Sequence, residues 1–310
     1  MAASPSLVLH LGAHKTATSL LQKYMQSRPA EMQRVRAVAV RRGASNDLIG
    51  WGGVPGRRPE LLREAVLAAG RRPYRIAGKY ALPSGLAAFA GLTPRTVVVS
   101  HENSLGRPFR GTGRPLYPHA ATCAQGLAGS VGDLTSRVVY YIRSQDEFLE
   151  SYYLQTIHQG GTDRFRDWLA GVDTAQVSWV PVVDGLVAAF GAERVVVRDF
   201  AEIRQGQNEF IASFLRTCDP RIEPRVDFPA RKNRSISQHG LDVALAMNPL
   251  LANWEERHLA RVFLQNHFNN TTGPRPVLLD EDEKATIRER YAAENADLVA
   301  RFRPPAHPAR

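Results

Sequence analysis

A short apolar run, Leu7 to Leu11, ends in a turn of small and polar residues and passes without a break into helix-like spacing. The same alternation recurs along the chain. Compact strand patterns lie at residues 35–40, at Thr96-Val97-Val98-Val99, from Arg137 to Ile142 and from Glu193 to Val197, where β-branched residues suit a pleated, buried surface. Between them, apolar positions follow helical spacing over roughly 18–28, from Glu60 to Ala69, after Ile142 through about Gln159, and over 163–170, 181–190 and Gln207 to Leu215. Strands alternating with helices predict an α/β fold, a three-layer sandwich around a central, mostly parallel sheet. Residues 43–56, rich in glycine, and 103–119, rich in Gly, Pro and Arg, read as loops. Loops as long as the second often face a substrate. From Ser235 to Arg303 the pattern is almost wholly helical, with a break near 269–279. The expectation is one domain over 1–310 whose 235–303 part is mainly helical.

Composition narrows the function classes. A chain of 310 residues, 44% hydrophobic and 23% charged, is ordinary for a soluble globular protein that buries a sizeable core. No apolar run approaches the roughly 20 residues of a membrane helix, and the N-terminus does not read as a signal peptide. The two cysteines, Cys123 and Cys218, make neither a disulfide framework nor a zinc site, so reduced thiols and a cytoplasmic location are expected. Forty Lys and Arg against thirty Asp and Glu leave a net charge of +10, which favours anionic partners. Arginine greatly outnumbers lysine, alongside much alanine, so part of that charge is a compositional bias. There is no dense basic tail, and nucleic acid is not an expected partner.

The chemistry concentrates in the turn after the first strand, Gly12-Ala13-His14-Lys15-Thr16-Ala17-Thr18-Ser19. A strand-to-helix turn exposes backbone N–H groups, and the helix adds its positive N-terminus. Lys15 supplies a mobile cation, and Thr16, Thr18 and Ser19 supply hydroxyls. The ligand predicted is a phosphate or a sulfate. This is not the Walker A pattern, because His14 and not glycine precedes Lys15.

The turn resembles the phosphosulfate-binding loop of sulfotransferases, in the bacterial branch that carries a His-Lys-Thr-Gly-Thr-Ser pattern. The match runs through His14, Lys15, Thr16, Thr18 and Ser19. Ala17 stands where the family usually has glycine, and since alanine disfavours positive φ, either ordinary backbone angles there or a slightly different loop shape is expected. The resemblance implies a P-loop NTPase-like fold and a loop that binds the 5′-phosphosulfate end of 3′-phosphoadenosine-5′-phosphosulfate (PAPS), with PAP as product and no metal. Arg143, at the end of the 137–142 strand, and Ser151 in the following helix resemble the family's 3′-phosphate-binding pair. By itself Arg143 would equally suit a surface ion pair. At the end of the Thr96 strand, His101 and Glu102 are adjacent proton-transfer candidates. Histidine has the better-matched ordinary pKa, while the family's Ser-x-Glu pattern favours Glu102. Asn233, Ser235 and Ser237 match an Asn-x-Ser-Leu-Ser element of the family, and Arg231 and Lys232 are possible phosphate contacts by position; the competing reading is a basic loop with a serine capping the next helix.

The resemblance spans roughly residues 7–240 and implies in-line sulfuryl transfer from PAPS to a hydroxyl or amine of a small-molecule or glycan acceptor. Two other classes stay open on sequence: a P-loop kinase using ATP and Mg²⁺, with Thr96 to Glu102 as its acidic strand, and a non-catalytic nucleotide-binding module.

Overall fold

The computed structural model describes residues 6–27, 35–38, 50–51, 54–55, 60, 62–64, 66–67, 96–109, 115–229 and 235–304. Its strands are β1 (Ser6–His10), β2 (Val35–Val38), β3 (Gly50–Trp51), β4 (Val54–Pro55), β5 (Thr96–Ser100), β6 (Thr135–Ile142) and β7 (Val195–Asp199). Five of them form one sheet in the order β2-β5-β1-β6-β7, and every pairing in it is parallel. The helices are α1 (Thr18–Gln26), α2 (Ala120–Val131), α3 (Gln145–His158), α4 (Phe165–Ala170), α5 (Val180–Phe190), α6 (Gln207–Cys218), α7 (Gln238–Met247), α8 (Trp254–His267) and α9 (Glu281–Arg301).

Period-two alternation along the strands builds the three layers. Leu7, Leu9, Val97, Val99, Val138 and Tyr140 pack into one core with α2, α3 and α5. Val8, Val98, Val139 and Tyr141 point the other way, onto α1 and α6. The expected α/β sandwich is therefore the observed one, with a β-strand–loop–helix unit at its centre in P-loop-like fashion. The outer edge of β7 is covered: the Val197 N–H donates to the Phe302 carbonyl at 2.9 Å, just past the end of α9. That helix starts on a capping box between Asp280 and Glu283.

Some elements depart from the sequence reading. The helix α2 was not anticipated, because its buried positions are Ala120, Cys123, Ala124, Leu127 and Val131, mostly small residues that give no strong apolar stripe. Small residues are what the packing needs there: a Cβ on Gly185 of α5 would lie only 3.1 Å from the Ala121 backbone. Within the glycine-rich 43–56 stretch, β3 and β4 form a short antiparallel pair. The C-terminal helical run has a second break after Met247, where Pro249 sits in a 3₁₀ turn. Cys123 and Cys218 are both buried, and neither forms a disulfide. No helix among the described residues is long and apolar enough to cross a membrane.

Candidate functional site

Parallel pairing puts the carboxyl ends of β1, β5, β6 and β7 on one edge of the sheet. β5 and β6 are followed at once by the polar residues His101 and Arg143, and β1 by the Gly12–Ser19 turn, at the edge where open α/β sheets hold ligands. The turn after β1 runs on alongside β6: Leu11 N–H donates to the Val139 carbonyl at 3.1 Å and Ala13 N–H to the Tyr141 carbonyl at 3.4 Å. The chain after β5 is tied to the same edge by His101 N–H, which donates to the His10 carbonyl at 3.0 Å. Three of the motifs separated in sequence thus meet: Arg143 donates to the Lys15 carbonyl, Glu102 acts on Lys15, and the chain at His101 is tied to the end of β1.

The turn itself is tightly wound. Lys15 (φ 66°) and Ala17 (φ 59°) both adopt the left-handed conformation. The expectation of ordinary angles at Ala17 is therefore overturned: the chain keeps the glycine-like backbone and accepts the Cβ strain, which is about 1–2 kcal/mol per residue. It holds because the Ala17 carbonyl starts α1, accepting from Leu20 N–H at 2.9 Å and Leu21 N–H at 3.2 Å. Ala17→Gly is expected to raise stability by about 1 kcal/mol, seen as a higher denaturation midpoint; a lower midpoint would refute strain at this position. A Cβ on Gly12 would meet His10 Nε2 at 2.9 Å, Thr16 Oγ1 at 3.1 Å and Thr18 Oγ1 at 3.3 Å, so only glycine fits there.

The side chains divide into those committed to the fold and those with capacity to spare. His14 is committed. Its Nε2–H donates to Asn103 Oδ1 at 2.9 Å, which leaves Nδ1 to accept from the Tyr117 hydroxyl at 2.8 Å, and its amide N–H donates back to that hydroxyl at 3.0 Å. Burial, with Arg107 and Lys15 adding to it, lowers the His14 pKa to about 4. Thr16 Oγ1 donates to the Ala13 carbonyl at 2.6 Å. Thr18 Oγ1, in contrast, is buried with no hydrogen-bond partner. The first turn of α1 carries neither a side-chain cap nor an acidic residue. Ser19 is exposed at its start. The Lys15 ammonium makes no hydrogen bond or ion pair among the described residues; burial and then Arg143 lower its pKa, and Glu102 opposes them.

Of the proton-transfer candidates, His101 is buried, with Nδ1 3.2 Å from Ser104 Oγ, and burial lowers its pKa to about 4. Glu102 is less enclosed, and burial raises its pKa while Lys15 opposes the rise. Burial thus disfavours the charged form of both, and of the two only Glu102 acts electrostatically on Lys15.

Arg143 braces the turn from β6. Its Nη1 donates to the Lys15 carbonyl at 3.0 Å, its Nε pairs with Glu147 at 3.2 Å, and its guanidinium lies 5.0 Å from the Phe200 ring centre. The Trp179 Nε1–H holds the Arg143 carbonyl at 2.8 Å. Beside it opens a cavity of about 380 Å³ whose lining includes Arg143, Glu147, Arg204 and Arg288. Ser151 lies one turn beyond Glu147 on α3, on the same helix face. Tyr152 and Tyr153 are buried packing residues, as expected.

Arg231, Lys232 and Asn233 lie outside the described residues. Ser235 exchanges backbone and side-chain hydrogen bonds with Asn270, and no described contact brings it to Lys15 or Arg143. Ser237, not Ser235, caps α7, accepting from Gly240 N–H at 3.2 Å. Sequence reasoning missed Tyr117, Asn103, Glu147 and Trp179, which hold His14 and Arg143 in place. Among the described residues there is no group of three or more His, Cys, Asp or Glu placed to hold a metal ion.

The buried imidazoles make the site region acid-sensitive. Burial lowers His10 to about 3, and His14 and His101 to about 4. An unfolded histidine protonates near an ordinary pKa of about 6.5, so between these values unfolding takes up protons and stability falls as pH falls, by about 1.4 kcal/mol per pH unit per histidine. Glu102, raised in the fold, works in the opposite direction. The thermal midpoint is expected to drop clearly between about pH 7 and pH 5. A flat profile would show the three imidazoles to titrate normally.

No family model matches the chain, and no curated protein matches it. Among solved structures the chain is similar to a sulfotransferase from Alicyclobacillus acidocaldarius, with 16% sequence identity, 84% of this chain and 96% of that chain covered, and a TM-score of 0.41.

Proposed function

We propose that this chain is a sulfotransferase that moves a sulfuryl group from PAPS to a hydroxyl or amine of a small-molecule or carbohydrate acceptor, acting as one domain over 1–310. One observation carries the reading: a partnerless Lys15 ammonium and a buried, partnerless Thr18 hydroxyl share one strained turn, and that turn is braced by Arg143, a second phosphate-seeking cation. The turn suits a phosphosulfate because the Lys15 ammonium and the Thr18 hydroxyl have donors to spare, and the space next to Gly12 admits no side chain.

PAPS, when bound, supplies the sulfuryl group and a phosphate leaving group. The residues do the rest by position and charge. Thr18, Ser19 and the backbone N–H groups at the start of α1 hold the 5′-phosphate. With PAPS bound, Lys15 would neutralise charge on its bridging or sulfuryl oxygens as the bond from sulfur to the phosphate oxygen is exchanged for one to the acceptor. Arg143 and Ser151 hold the 3′-phosphate and so select a 3′-phosphorylated nucleotide over ATP. Glu102 accepts the proton of the acceptor. The less enclosed carboxyl, whose charged form Lys15 favours, makes it a better-placed base than His101, whose Nδ1 is engaged with Ser104. His14 positions the turn through Tyr117 and Asn103.

Calorimetry separates this reading from a kinase. Magnesium-independent binding of PAP, with weak binding of ATP, is the expected result. Magnesium-dependent ATP binding without PAP binding overturns it. Sulfate addition to an acceptor, read by mass spectrometry with PAPS as donor, separates an enzyme from a binding module.

A further inference from the structure

The end of α3 carries a feature that the phosphosulfate site does not use. His158 is the last residue of α3, and its Nε2 is buried without a partner. Across from it, Arg261 of α8 has its Nε buried without a partner as well. An unpaired buried donor such as the Arg261 Nε–H costs about 1–3 kcal/mol, and His158 Nε2 is a second one in its Nε2–H tautomer, so the pair suits a ligand that can accept from both.

The packing explains why they face each other. Asn248 Nδ2 donates to the carbonyls of Ile157 at 2.9 Å and Gly161 at 2.7 Å, which fixes the end of α3. Arg257 of α8 lies on Gly160: a Cβ there would come within 2.6 Å of its Cδ. Arg261 is one helical turn further along the same face as Arg257, so it is presented to the same end of α3. The charges acting on His158 are Lys15 and Arg261, both cations, and together with burial they lower its pKa to about 4. Among the described residues, the charges that act on His158 are thus both cationic, Lys15 from the turn after β1 and Arg261 from α8.

We infer that His158 and Arg261 form an anion-recognition subsite for the acceptor, which carries an oxyanion such as a carboxylate near the group to be sulfated. This rests on the sulfotransferase reading for the acceptor's role, though not for the anion binding itself. Arg261 donates from Nε and neutralises the oxyanion; neutral His158 donates from Nε2–H. A charge-assisted pair of this kind is the stronger class of hydrogen bond.

The test is a titration followed through the ring resonances of His158, with 4-hydroxyphenylacetate and its neutral twin 4-hydroxyphenylacetamide as probes, on the protein alone and with PAP. The carboxylate is expected to shift His158 saturably, to raise its pKa above about 4 because an anion favours the imidazolium, and to bind at least about tenfold more tightly than the amide. Arg261→Gln is expected to erase that difference and leave PAP binding intact; His158→Gln, which keeps a donor at the same place, is expected to retain most of it. Equal affinity for the two probes in the wild type, or unmoved His158 resonances, overturns the inference without any variant having to fold. Failure of PAP to bind overturns the sulfotransferase reading instead, and the titration of the protein alone still decides the subsite.

Discussion

Lys15→Ala is expected to lower the rate of sulfuryl transfer by about 10²–10³-fold while leaving the thermal midpoint essentially unchanged. The two halves follow from the same environment. The ammonium is largely buried, has no hydrogen-bond partner among the described residues, and has a pKa lowered chiefly by that burial. Removing it breaks no hydrogen bond or ion pair among the described residues. The backbone at Lys15 is already left-handed at φ 66°, and alanine meets the same strain there that Ala17 bears two residues on. What is lost, in the proposed function, is the charge that meets the leaving phosphate. Lys15→Arg is not expected to rescue, because a planar guanidinium cannot take the place of a compact ammonium in a turn this tight. Initial rates with PAPS and a competent acceptor, beside a calorimetric melt, give both readings. Near-normal turnover in Lys15→Ala would remove Lys15 from the reaction and with it the main support of the proposed function.

That turn also shows what a sequence can disclose of a site. Lys15, Thr18 and Arg143 were legible because strand ends in a parallel sheet are recognisable and their followers must share one edge. The strands were legible because Val97 and Val99 belong to one core and Val98 to the other, which produces a dense β-branched run. The supports were not legible. Tyr117 reaches His14 from the far end of a loop with no periodic signal, and Trp179 reaches the Arg143 carbonyl from just before α5. No local pattern encodes either contact. Ala17 misled for a different reason: propensity disfavours alanine at positive φ, but neighbouring hydrogen bonds at the start of α1 decide the angle. The helix α2 escaped because small residues packed close against α5 carry little hydrophobic signal.

The surface ion-pair reading of Arg143 and its phosphate reading turn out to be compatible, and one variant tells them apart. In the structure Arg143 pairs with Glu147, yet Glu147 has a second partner in Arg204, so the carboxylate does not depend on Arg143 for charge balance. Arg143 also holds the Lys15 carbonyl at 3.0 Å. Arg143→Ala therefore removes a strut of the turn and, in the proposed function, the principal cation for the 3′-phosphate. Loss of the strut weakens every nucleotide that uses the turn; loss of the cation weakens only those with a 3′-phosphate. A charge-assisted hydrogen bond contributes about 1.5–3 kcal/mol, so PAP affinity is expected to fall by roughly 10–100-fold, and AMP affinity by much less. Arg143→Lys keeps the charge without the two-pronged geometry and is expected to lie between wild type and alanine for PAP. If calorimetry instead shows PAP and AMP losing affinity equally, Arg143 is only the brace of the Lys15 turn, and selection of a 3′-phosphorylated nucleotide must come from elsewhere in the crevice.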